Sequence, residues 1–80
     1  MDKSHLAAEA ERLERDETLQ TALDAIRSEA MEALAIADAD NKTLILRLQQ
    51  KVAVIDDIRS ALKGMILRGS KTANSPGTFA

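Results

Sequence analysis

The sequence has no cysteine, no tryptophan and no tyrosine, and its single phenylalanine is Phe79. Without cysteine there is no disulfide framework and no thiolate metal site. That fits a reducing compartment. Without aromatics, a core has to be filled by Leu, Ile, Val, Met and Ala, which is the vocabulary of helix-on-helix packing and argues against a β-sandwich or barrel. Proline and glycine are confined to the end of the chain, as Gly64, Gly69, Pro76 and Gly77. Everything before Gly64 is therefore free to be helical. No apolar run approaches the roughly twenty residues needed to cross a bilayer. The opening MDKSHLAAEAERLERDE lacks the apolar segment of a secretory leader. The expected setting is the cytoplasm.

Catalytic patterns are missing as well. There is no glycine-rich phosphate loop, no histidine-rich ligand set and no nucleophile beside a base. The one histidine, His5, is expected to be a solvated residue near the terminus. Asp56 and Asp57 are adjacent, so on a helix they point about 100° apart and cannot both address one substrate atom. Glu29 with Glu32, and Asp24 with Arg27, read as ordinary helix-surface spacing. The chain is expected to be no enzyme and to need no cofactor or metal.

What is present is amphipathic pattern in a chain of 80 residues, enough for one small domain that is marginal on its own. Upstream, Leu19, Leu23, Ile26, Ala30, Leu34 and Ala37 form one helical stripe. Leu13 falls off it, because six residues back is about 600° of turn. Residues 5–15 are therefore either a separate short helix or part of one that runs on into the stripe, and the high helix propensity of AAEAERLERDETLQ favours continuation. The segment ADADN, residues 37–41, is the one credible break, with Asp40 the preferred cap for the next helix. Downstream, Leu44, Leu48, Val52, Ile55, Arg59, Leu62 and Ile66 make a second stripe, and Gly69 is the expected stop. A further set, Ile45, Val54, Ile58, Ala61 and Met65, runs along the side of this second helix. One hairpin hides one stripe, so the surplus is expected to face other copies or another protein.

Charge is divided along the chain. Residues 1–40 hold eleven acids against four bases, and residues 41–80 hold seven bases against Asp56 and Asp57. Two antiparallel helices of complementary charge account for this. A basic nucleic-acid face formed by Arg47, Lys51, Arg59 and Lys63 is the competing reading. Against it stand the acidic total and the lack of stacking aromatics.

Taken together these features predict an all-α protein: an antiparallel helical hairpin of two long helices over residues 16–69, which oligomerises. A helical extension over residues 1–15 precedes it, and an extended tail over residues 70–80 follows. Contacts to other proteins are expected at Leu48, Val52, Ile55, Ile58, Leu62 and Ile66, with Phe79 anchoring the tail. A helix start with Asp16 and Leu19 is followed by Leu48, Lys51, Val52, Val54, Ile55, Asp56, Ile58 and Arg59 and closed by Gly69. This run resembles small helical-hairpin proteins of tailed phages and prophages. The resemblance implies a structural virion or virion-assembly component in several copies. Such a component would be assembled in the host cytoplasm and docked on itself or on a larger virion protein, with no catalytic residues. The other expectations are a cellular helical adaptor or regulator, and a nucleic-acid-binding small packaging subunit.

Overall fold

A computed structural model describes residues 2–74, with side-chain surroundings for residues 2–69. The elements it contains are all helices: α1 (Lys3–Glu14), α2 (Glu17–Ile36) and α3 (Lys42–Asn74). The two-helix hairpin of the sequence reading is thus corrected to three helices.

The helix continuing through residues 13–19 is not found. α1 ends at Glu14, the Arg15 N–H donates to the Glu11 carbonyl, and the Asp16 N–H donates to the Leu13 carbonyl. Packing overrides propensity here. A straight helix cannot turn Leu13 and Leu19 to the same side, whereas a break lets α1 bury its own face of Ala7, Ala10 and Leu13. Asp2 starts α1, its Oδ1 accepting from the His5 N–H at 2.7 Å. Two pairs on the exposed side, Arg12 with Glu9 and Arg15 with Glu11, have the spacing of one helical turn.

The turn between α2 and α3 is organised by short polar side chains. The Asp38 Oδ1 accepts from the Asp40 N–H at 2.9 Å, and the Asn41 Oδ1 accepts from the Leu44 N–H at 3.2 Å. The cap of α3 is therefore Asn41 rather than Asp40. α3 begins at Lys42, so the free N–H three residues past the cap belongs to Leu44, which Asn41 reaches. Asn41→Ala is expected to cost about 1 kcal/mol, and Asp40→Ala markedly less. Urea titration of both variants checks this, and a larger loss for Asp40→Ala would contradict the assignment.

Two compact units are built from these helices. The first pairs α1 with α3 from Arg59 onward, and the second comprises residues Glu17–Ile58, that is α2 with the first half of α3. In the second unit, Leu23 and Ala30 of α2 and Leu48 and Ile55 of α3 are buried. These are members of the two stripes, so the periodicity located this core. In the first unit Ala10 and Gly69 are buried. Gly69 does not end α3, which runs on to Asn74, so residues 70–74 are helix rather than extended tail. The expected anchor Phe79 lies outside the described residues.

Gly69 has a packing role. A Cβ built there would run into the Ala7 side chain and stand 2.7 Å from the Lys3 carbonyl oxygen. The missing side chain lets α1 and α3 approach closely.

Candidate functional site

Among the described residues, no cluster of three or more His, Cys, Asp or Glu side chains is placed to hold a metal ion. A shallow depression lined by Glu17, Thr18, Thr21, Ala22 and Ala25 lies along one open side of α2. A smaller one of about 90 Å³, lined by Lys3, Leu6, Met65 and Arg68, is well below the several hundred Å³ of ordinary ligand pockets. No helix among the described residues is long and apolar enough to cross a membrane.

Charge is arranged along the helix pair. Arg27 of α2 donates from Nε to Asp56 Oδ1 at 3.0 Å and from Nη2 to Oδ2 at 3.4 Å. The hydrogen bond and the charge of Asp56 both push the guanidinium pKa up from its ordinary value. The pair runs counter to the overall division of charge, since the base comes from the acidic half and the acid from the basic half. Its spacing of 29 residues in the chain hid it from a sequence reading.

The residues expected to contact other proteins divide in two. Leu48 and Ile55 are buried and Val52, Leu62 and Ile66 half-buried within the chain itself. Only Ile58 of the described set remains largely open, at 40% exposure. The side set divides too: Val54 is 54% exposed and Ala61 is exposed, whereas Ile45 and Met65 are half-buried. On α2, Ile26 departs from its stripe and is 39% exposed.

Arg47, Lys51, Arg59 and Lys63 do not share a face. At about 100° per residue, Lys63 lies about 160° around α3 from Arg47. Arg59 is half-buried in the apolar stripe, while the other three are exposed.

Comparison with known proteins adds no relative: no family model, no curated protein and no solved structure matches the chain.

Proposed function

We propose that the chain is a small non-enzymatic structural protein, working in several copies as a virion or virion-assembly component and docking through its helix faces onto protein. One observation carries the docking part. After the helices have buried Leu23, Ala30, Leu48 and Ile55 against each other, Ile26, Val54 and Ile58 still stand in solvent. Apolar side chains left exposed on both helices offer a surface for docking. The virion setting rests on the resemblance to phage hairpin proteins. The divided basic residues on α3 weigh against the packaging-subunit alternative, because phosphate binding along a strand calls for one continuous basic face.

Association stabilises the folded state by mass action, so a self-associating chain melts at a temperature that rises with its concentration. For the full chain a rise of a few degrees per tenfold in concentration is expected, read by circular dichroism at low concentration and calorimetry at high. A cooperative melt independent of concentration would remove the multi-copy reading. The setting is checked separately, by whether tagged chain is recovered in assembled particles or stays with free protein in the producing cell.

A further inference from the structure

We infer that the occupant of the exposed flank of residues Glu17–Ile58 is a second copy of the same flank, in a face-to-face four-helix arrangement about a two-fold axis parallel to the helices. The inference rests on the multi-copy reading above and names its contact surface.

The flank follows from the helical period. With the buried Leu23 and Leu48 facing inward, Ala22, Ile26, Glu29 and Ala33 fall on one side of α2. Arg47, Lys51, Val54 and Ile58 fall on one side of α3. The bonded Arg27 and Asp56 lie on the opposite sides of their helices and meet each other. That contact fixes which sides coincide: the two four-residue rows lie on the same flank of the unit.

The turn sets their level. α2 ends at Ile36 and α3 begins at Lys42, so residues equally far from Ala39 lie roughly abreast. Ala22 then falls between Val54 and Ile58, Ile26 between Lys51 and Val54, Glu29 between Arg47 and Lys51, and Ala33 just to the turn side of Arg47. The rows thus match apolar with apolar at one end and acid with base further along. Glu29, Lys51 and Arg47 are exposed, and none is ion-paired with another described residue.

A two-fold interface needs a self-complementary surface. With the axis parallel to the helices, α2 of each copy lies over α3 of the other at the same level. Ala22 then meets Val54 and Ile58, Ile26 lies between Lys51 and Val54, and Glu29 lies between Arg47 and Lys51. An axis across the helices would stack α2 on α2 and α3 on α3, so Glu29 would face a row with no base and Arg47 and Lys51 a row with no acid, desolvating charges without partners. The chemistry of the flank selects the first arrangement.

Its size suits a reversible dimer. The 20 residues of α2 give a length of about 30 Å. Two helices about 10 Å apart make a face of about 600 Å² on each copy. The total of about 1,200 Å² sits at the lower edge of stable interfaces.

The test is sedimentation equilibrium of the full chain from micromolar to millimolar concentration, with circular dichroism confirming that each exposed-site variant keeps its helices. Glu29→Lys and Lys51→Glu are each expected to weaken dimerisation by about tenfold, and the double reversal to recover most of that loss. Ile58→Glu is expected to leave monomer only. If wild type associates and none of these variants shifts the equilibrium, the flank is wrong and the multi-copy reading survives. If wild type stays monomeric at the highest concentration, both fall. Loss of DNA binding in Lys51→Glu with no change in mass would overturn the inference in favour of nucleic acid.

Discussion

Leu48→Ala and Ile55→Ala are each expected to remove most of the protein's stability. Both side chains are buried, at 7% and 4% exposure, and among the described residues they are the only large α3 side chains in the buried core. Deleting a buried Leu or Ile to Ala typically costs about 2–5 kcal/mol, combining lost transfer energy with the cavity left behind. A natural domain of this length has only about 4–12 kcal/mol in total. The other buried members of this unit are Leu23 and Ala30, so little of its described core is left to fill the gap. Each variant should therefore melt at least ten or so degrees lower, or lose its cooperative transition altogether. Val54→Ala is the control. Its parent side chain is more than half exposed, so in dilute monomer the cost should stay below about 1 kcal/mol. Urea titration followed by circular dichroism measures all three. A Leu48→Ala loss no larger than that of Val54→Ala would mean that α2 and α3 do not pack as described.

The contrast between Leu48 and Val54 also shows what periodicity can and cannot reveal. The spacing of Leu44, Leu48, Val52 and Ile55 was sufficient to find the inner face of α3, because a helix must turn one side to its neighbour. The same spacing could not say that this face would be used up internally. Sequence shows that two sides of α3 are apolar, and only the position of α2 decides which of them is left over. Contacts to other proteins were accordingly sought at Leu48 and Ile55 as well as at Ile58 and the side set with Val54; the first two are buried within the chain, while Val54, Ile58 and also Ile26 are exposed. The break before α2 had a signal in the misplaced Leu13. It was outweighed by the propensity of AAEAERLERDETLQ, a local quantity blind to the burial of Ala10. Asp40 and Asn41 are equally good capping residues by type. The choice between them depends on which N–H lies three residues ahead, and so on a boundary that sequence places only to within a residue or two.

Glycine poses the same problem in its sharpest form, and here a pair of substitutions of opposite sign is expected. In a helix interior, Gly→Ala by itself favours folding by about 1 kcal/mol, since alanine loses less backbone freedom. At Gly64 most of that gain should be realised. The nearest atom to an added Cβ is Nη1 of Arg68 at 3.1 Å, the far end of a long, exposed side chain that has to give by only a few tenths of an ångström. At Gly69 the same methyl meets Ala7 and the Lys3 carbonyl oxygen, rigid parts of α1, and the helices must separate. Overpacking of this kind costs about 1–3 kcal/mol, which outweighs the propensity gain. Gly64→Ala should therefore raise the melting temperature and Gly69→Ala lower it, with faster hydrogen exchange confined largely to the amides of α1. Adding Ala7→Gly to Gly69→Ala moves the methyl from one helix to the other. Helix propensities then cancel, the side-chain collision disappears, and part of the lost stability should return, so the two single effects are not additive. If Gly69→Ala stabilised the protein as Gly64→Ala does, the residue would be an ordinary helix glycine, and the close approach of α1 to the end of α3 would have to be abandoned.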